Sequence, residues 1–380
     1  MSPSSRRQGS RADAHPPAAL RARWPAGMTM RYKLLGRTGL RVSELCLGAM
    51  IFGDRRGGWG AGKEEAARIV ERFAEAGGNF VDTANYYAGG ESERIVGELV
   101  APDRDRWVLA TKYACSLDPT DPNAGGGHRK SMVRSLESSL RRLGTDYVDL
   151  FWLHIWDAFT PVEEVVRALD DVVRAGKALY VGISDTPAWL VAQAVSLADL
   201  RGWTRFAALQ IPYSLVERTV ERELLPMARA LDLGVTAWSP LGDGVLTGRY
   251  GSDRPRPENT RISGIGATHR LSDRNLAIAD TVNQIAADRG ATSAQVAIAW
   301  VLAQQARASV IPIVGARTQS QIADNLGALD VELTADEVDR LDKVSRVELG
   351  FPHDFGAGRL AYGQTFELVD DHRGLVDPLV

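Results

Sequence analysis

Eight short apolar runs recur along this chain with amphipathic stretches between them, and that alternation limits its folds more than any other feature. The runs are Glu44–Met50, Phe80–Ala84, Trp107–Lys112, Tyr147–His154, Ala178–Asp185, Ala207–Tyr213, Val235–Pro240 and Val310–Gly315. Each is five to eight residues long, as strands are, and reads as nearly continuous apolar sequence, as strands covered on both faces do. Between them, Glu64–Ala76, Arg129–Leu143, Val162–Ala175, Pro187–Leu200 and Glu221–Leu231 carry apolar residues three and four apart, the helical period. Strand and helix in strict alternation imply a parallel sheet, and eight such units imply that it closes. The expected fold class is therefore α/β, a (β/α)8 TIM barrel. A β-hairpin over Tyr32–Val42 precedes it, and long loops cross the carboxyl mouth.

Glycines support the helix ends: Gly77–Gly78, Gly144 and Gly176 stand just past them, where a left-handed residue relieves the last carbonyls. Ser116–Gly127 and Thr247–Ser272 are too long for plain connectors. They follow the third and seventh barrel strands and are candidate substrate loops. Three regions result: a polar extension over 1–29, a barrel over 30–346, and a tail or substrate loop over 347–380. The extension is rich in Arg, Ser, Ala and Pro without a structural period, so disorder is expected there, and Met28 or Met30 is the expected natural start.

Composition excludes several function classes. Net charge is −3 in 380 residues, with no basic stripe interleaved with aromatics, so nucleic-acid binding is not expected. No apolar run reaches the ~20 residues that cross a bilayer, so no membrane-spanning helix is expected. Cys46 and Cys115 lack partners at metal-ligand spacing, so reduced thiols in a cytoplasmic protein, with no bound metal, are expected. Gly57–Lys63 approaches a phosphate loop, but Glu64 stands where a magnesium-binding hydroxyl belongs. Gly242, Gly244 and Gly248 follow a strand with the wrong spacing for a dinucleotide fingerprint, and Pro255 and Pro257 oppose the helix it needs.

The strand ends carry chemistry. Asp82, Tyr87, Lys112 and His154 lie at or just past successive strands, whose carboxyl ends converge on one mouth. Reducing a carbonyl takes a hydride for carbon and a proton for oxygen. A phenol with an ordinary pKa of ~10 needs a neighbouring cation to release that proton. Lys112 can be the cation, Asp82 its counter-ion, and His154 a hydrogen-bonding partner for the oxygen. Each has a bland reading, since strand-end Asp commonly caps turns and strand-end Tyr packs rims. Lysine occurs only six times against 39 arginines, so an ammonium kept inside an apolar strand favours the chemical reading.

These residues sit in segments that resemble the aldo-keto reductase family across nearly all of Met30–Ser345. Phe80–Tyr87 resembles the family's D-T-A-x-x-Y, followed by Gly90–Glu93, Ala110–Lys112 and Asp149–His154. The resemblance implies a catalytic tetrad of Asp82, Tyr87, Lys112 and His154, with Tyr87 as general acid. It implies a nicotinamide carboxamide at Ser184, Asp185 and Gln210, and the ring against Trp238 in the Trp238–Leu241 segment, with Ser239, Pro240, Leu241 and Arg249 nearby. Phosphate and adenine contacts are implied at Gly315, Arg317, Gln321, Asp324 and Asn325. Arg317 is the choice for a 2′-phosphate because a guanidinium binds it bidentately. The implied cofactor is NADP(H) rather than NAD(H), and the implied reaction is reversible reduction of a small-molecule aldehyde or ketone. Departures are Ala88 for a common Gly, Asp185 for a common Asn, and Gln321 for an Arg. The resemblance extends to potassium-channel β-subunits, which would make the chain a cofactor-binding regulator, but His154 stands where those relatives carry Asn. An isomerase or dehydratase using the same pocket without net redox change also stays open. Trp59, Trp156 and Phe351 suggest an aromatic pocket wall. Neither the physiological substrate nor the oligomeric state is legible.

Overall fold

The computed structural model describes residues 30–53, 60–254, 262 and 268–355. The extension before Met30, Gly57, Gly58 and Trp59, Pro255, Pro257 and the tail after Phe355 lie outside the described residues.

β1 (Tyr32–Leu34) and β2 (Arg41–Ser43) form an antiparallel hairpin. Eight barrel strands follow: β3 (Cys46–Gly48), β4 (Phe80–Asp82), β5 (Val108–Tyr113), β6 (Val148–Leu153), β7 (Ala178–Ser184), β8 (Phe206–Pro212), β9 (Gly234–Trp238) and β10 (Val310–Val314). Each pairs in parallel with the next, and β10 closes on β3 through Ile313 and Cys46. The (β/α)8 barrel and the hairpin expected from the sequence are both present, with strand ends a few residues shorter than the apolar runs.

The helices are α1 (Lys63–Glu75), α2 (Glu91–Val100), α3 (Arg129–Leu143), α4 (Val162–Arg174), α5 (Ala188–Arg201), α6 (Leu224–Ala230), α7 (Asp273–Arg289), α8 (Ser293–Ala303), α9 (Gln319–Leu326) and α10 (Ala335–Ser345). α3 shows the local logic. The His128 side chain accepts from the Ser131 N–H at its start, Met132, Leu136, Leu140 and Leu143 are buried along one face, and Gly144 ends it at φ 65°. Gly77 and Gly176 are likewise left-handed, at φ 96° and 72°. Gly78 is not: a Cβ there would stand 2.2 Å from the Phe73 ring, so its reason is space. α8 and α10 start with capping boxes, Thr292 with Gln295 and Thr334 with Glu337. Arg289 on α7 pairs with Glu337 on α10 at 2.6 Å.

Two apolar layers follow from the two-residue period of the strands. Val81, Leu109, Phe151, Leu153 and Val181 face the helices, in the larger core. Phe80, Val108, Ala110, Leu150, Trp152 and Ala208 fill the barrel interior, where Leu35 and Val42 of the hairpin join them. Interior space is tight: a Cβ on Gly182 would fall 2.3 Å from the Trp152 ring, so only glycine fits opposite that indole.

Candidate active site

The same two-residue period that fills the barrel also selects the site. Inward positions run Phe80 then Asp82 on β4, Val108, Ala110 then Lys112 on β5, and Leu150, Trp152 then His154 at the end of β6. Gly182 leads to Ser184 on β7, Ala208 to Gln210 on β8, and Thr236 to Trp238 on β9. Apolar residues or glycine thus occupy the lower interior of most of these six strands, and the last inward position of each of the six is polar or aromatic. These ends open into a cleft of about 590 Å³, in the range of small-molecule sites.

Lys112 is fully buried just behind the cleft floor. Its ammonium forms an ion pair with Asp82, donates to the Thr83 carbonyl at 2.8 Å and lies 3.1 Å from the Tyr87 hydroxyl. Gln210 donates to Asp82 Oδ1 at 3.2 Å. Tyr87 and His154 meet edge to face, with ring centroids 5.7 Å apart, and both line the cleft with Asp82. The four residues singled out at strand ends therefore come together in one cluster.

Its electrostatics differ in one respect from the sequence expectation. Burial raises the Tyr87 phenol above its ordinary value; Lys112 pulls it down, but Asp82 behind the ammonium offsets part of that pull. Tyr87 is thus a protonated phenol at neutral pH. Burial alone would lower Lys112, yet the Asp82 carboxylate and the Tyr87 oxygen raise it, so it remains a cation. Burial pushes the Asp82 carboxyl up, opposed by Lys112 and Gln210. Burial, followed by repulsion from Lys112, drives His154 down to about 3, so its imidazole is neutral.

The segment after Tyr87 holds three successive left-handed residues, Ala88, Gly89 and Gly90, at φ 49°, 64° and 91°. Alanine is strained there, which explains physically why glycine suits that position. Ala88→Gly is expected to stabilise the fold by up to about 1 kcal/mol, the relief of strain exceeding the extra unfolded-state entropy. Urea unfolding midpoints would show it, and an unchanged or lower midpoint would refute it. Behind this turn, α2 carries buried polar residues that the apolar periodicity did not single out. Ser92 lies 2.7 Å from the Thr83 hydroxyl and donates to the Ala49 carbonyl, also at 2.7 Å. Glu93 accepts from Thr111 and from Arg142, both at 2.5 Å. The residues next to Asp82 and Lys112 are thereby fixed from behind.

The residues expected to hold a cofactor extend from this cluster along the cleft. Asp185, Gln210, Trp238, Ser239, Pro240, Leu241, Arg249, Gly315, Arg317, Gln321, Asp324 and Asn325 all line it. Ser184 is buried behind the surface, and its hydroxyl has no well-formed hydrogen bond, although it lies close enough to Asp185 to favour that carboxylate. The Tyr250 hydroxyl in the cleft wall is likewise buried without a partner. Asp185 accepts from the Trp238 indole N–H at 3.1 Å, so the departure from Asn keeps this ring held. Gln321 accepts from the Arg317 backbone N–H at 2.8 Å, and Asn325 donates to the Gly315 carbonyl at 3.2 Å. Both bonds shape the turn into α9, whose amino terminus is a place for an anion. An orphaned buried hydroxyl on Tyr250, the Trp238 plane and the turn carrying Arg317, all in one cleft, fit a nicotinamide dinucleotide.

Strain gathers here as well. Asp185, Ser239 and Asp243 line the cleft at φ 43°, 54° and 57°, and Ala114, at φ 90°, precedes the lining residue Cys115. Cys115 was not singled out as a site residue; its Sγ lies 3.4 Å from His154 Nδ1. Met50, at the end of the first apolar run but past β3, also lines the cleft, with Ile51 and Tyr86 on loops whose composition carries no periodic signal. Among the suggested aromatic wall residues, Trp156 packs on the outer core and Phe351 is 83% exposed, both outside the described lining; Trp59 is outside the described residues. Among the described residues no cluster of His, Cys, Asp and Glu could hold a metal ion, and no helix is long and apolar enough to cross a membrane.

Comparison with known proteins agrees with this architecture. The sequence model of the Aldo/keto reductase family matches residues 44–346. A norsolorinic acid reductase of Emericella nidulans is 40% identical over 328 residues, covering 83% of this chain and 82% of its own. An aryl-alcohol dehydrogenase of Pestalotiopsis microspora is 36% identical, covering 89% and 88%, and a putative aryl-alcohol dehydrogenase of Saccharomyces cerevisiae is 32% identical, covering 85% and 88%. An eight-stranded parallel barrel, with a family match across it and oxidoreductase relatives over most of its length, places this chain in the aldo/keto reductase family.

Proposed function

We propose that the protein is an NADP(H)-dependent oxidoreductase that reversibly reduces aldehydes or ketones to alcohols, with Tyr87 as general acid. The observation that carries this reading is the Tyr87 hydroxyl, 3.1 Å from a buried Lys112 that is itself paired with Asp82, at the wall of the cleft. Ser184, Asp185 and Gln210 would hold the carboxamide of the cofactor, Trp238 would stack on its ring, and Arg249, Arg317, Gln321, Asp324 and Asn325 would hold its phosphates and adenine. When bound, a reduced nicotinamide supplies the two-electron reduction of the carbonyl carbon.

The chain supplies everything else. Tyr87 and His154 flank the position of a carbonyl oxygen: the phenol donates a proton to it, and the neutral imidazole donates a hydrogen bond. Lys112 stabilises the phenolate left on Tyr87, and Asp82 keeps Lys112 charged and aimed. Gln210 anchors Asp82 and so couples the cofactor side of the cleft to the proton-donating side. The relatives named aryl-alcohol dehydrogenase point to aromatic substrates, and Met50, Ile51, Tyr86 and Trp238 in the lining suit an aryl aldehyde or ketone. The unpaired cysteines Cys46 and Cys115 suit the reducing cytoplasm.

Reduced-nicotinamide absorbance, followed with NADPH or NADH and a panel of aromatic and aliphatic aldehydes, tests the reading directly. Faster oxidation of NADPH with aryl aldehydes is expected. Tight NADPH binding with no oxidation on any substrate would move weight to a regulatory or non-redox role.

His154 offers a test by pH. Its folded pKa of about 3 lies below the ordinary 6.5, so between those values the unfolded chain binds more protons and stability rises with pH. Its contribution is present above pH ~6.5 and is lost as pH falls toward 3, at roughly 1.4 kcal/mol per unit. His154→Gln is therefore expected to show a shallower acid-side loss of stability than the wild type. Equal slopes in urea unfolding from pH 4 to 7 would contradict a neutral buried imidazole.

A further inference from the structure

Cys115 stands out in the cleft because the proton-transfer scheme leaves it unused. Its Sγ contacts His154 Nδ1 at 3.4 Å, within the reach of a sulfur hydrogen bond. It follows β5, three residues after Lys112, and the left-handed Ala114 turns the chain at that point. The backbone therefore departs from its easiest course where the thiol is brought to the imidazole, and strain of this kind persists where the surroundings enforce it.

We propose that Cys115 is a positioning residue: its S–H donates to His154 Nδ1 and thereby fixes the Nε2-protonated tautomer that a substrate oxygen needs. The proton count supports this direction. Cys115 is held as a thiol, because burial raises it above its ordinary value despite Lys112, so the sulfur carries a hydrogen to donate. His154 is neutral and carries one ring hydrogen. If that hydrogen sat on Nδ1 it would face a thiol, a weak acceptor, and Nε2 would offer a lone pair to the carbonyl oxygen instead of a donor. With the thiol donating, both groups are satisfied and Nε2–H is the nitrogen left for the substrate. The groups that face His154 are Tyr87 from the turn after β4, Lys112 from β5 and Cys115 beyond it. Of these, Tyr87 and Cys115 carry a neutral donor, and only Cys115 is in contact with Nδ1.

This inference builds on the reductase reading for its consequence but not for its observation, since the tautomer can be read without turnover. The experiment is long-range ¹H–¹⁵N correlation spectroscopy on the full chain with ¹⁵N-labelled histidine, the His154 signals being assigned from their loss in His154→Gln. Wild-type protein is expected to show His154 with Nε2 protonated and Nδ1 in the shift range of a hydrogen-bonded acceptor. Cys115→Ala should move Nδ1 toward an unbonded shift, with mixed tautomers. Cys115→Ser, whose hydroxyl can still donate, should keep the wild-type pattern. Turnover of an aldehyde that the wild type reduces should fall roughly three- to tenfold in kcat in Cys115→Ala, the worth of one ordinary hydrogen bond, with cofactor affinity unchanged and the rate restored in Cys115→Ser. A proton on Nδ1 in the wild type, or an unaltered His154 spectrum in Cys115→Ala, would overturn the proposal. Equal loss in the Ser and Ala variants would assign Cys115 to packing instead. If no aldehyde is reduced by the wild type, the reductase reading fails while the spectra still decide the tautomer.

Discussion

Tyr87→Phe is expected to lower carbonyl turnover by a factor of about 10²–10⁴, the usual worth of a positioned general acid, while leaving cofactor affinity within about twofold. The substitution removes one oxygen and little volume. The ring stays edge to face with His154, its centroid 5.7 Å away, and Lys112 stays paired with Asp82. What disappears is, among the described residues, the only hydroxyl in contact with the buried ammonium, and with it the proton that burial keeps on the phenol at neutral pH. Single-turnover absorbance with bound NADPH would read the rate, and tryptophan quenching the affinity. A variant within tenfold of wild type would mean that His154 or a water supplies the proton and that Tyr87 only shapes the wall.

The barrel could be read from the sequence because burial on both faces leaves its mark on composition. A strand such as Val148–Leu153, buried at every position, has to be apolar throughout, while α3 buries one face and so shows a three-to-four spacing. The one charged exception on β6, Asp149, is held by Arg104 at 2.7 Å and by the Leu109 N–H at 2.9 Å, pairings set by distant segments and therefore invisible locally. Asp82, Lys112 and His154 were legible for a related reason: each interrupts an apolar inward row at its last position.

Other features depend on the assembled barrel. Cys115 follows a strand as an ordinary small apolar residue would, and only the turn at Ala114 reveals its contact with His154. Ser92 and Glu93 look like surface residues of a short helix until Thr83, Thr111 and Arg142 arrive from elsewhere in the chain. The net direction of the Tyr87 shift was missed because it balances burial against two charges of opposite sign, which residue type alone does not weigh. Met50, Ile51 and Tyr86 belong to loops, where position follows from packing against the strand ends rather than from any period.

Lys112→Met tests the buried ion pair, and its effects should separate stability from rate. Methionine fills most of the volume of the fully buried lysine but leaves the Asp82 carboxyl without its cation, with Gln210 still donating to it. Breaking a buried pair on one side typically costs about 3–5 kcal/mol, so a large drop in the urea midpoint at pH 7 is expected. The pH dependence has a definite sign. Burial already raises Asp82 above its unfolded value of 3.8, and loss of Lys112 removes the largest pull in the other direction. A carboxyl whose folded pKa is raised loses stability as pH rises from the unfolded value through the folded one. Lys112→Met should therefore lie nearest to wild type around pH 4 and fall further behind toward pH 7. Adding Asp82→Asn removes the stranded carboxyl and should recover much of the stability and nearly all of the pH dependence. Turnover should not recover in the double variant, because the ammonium that stabilises phenolate on Tyr87 is still missing. Equal stability of Lys112→Met and wild type at pH 7 would show that the pair contributes little to the fold, and restored turnover in the double variant would remove Lys112 from the proton-transfer scheme.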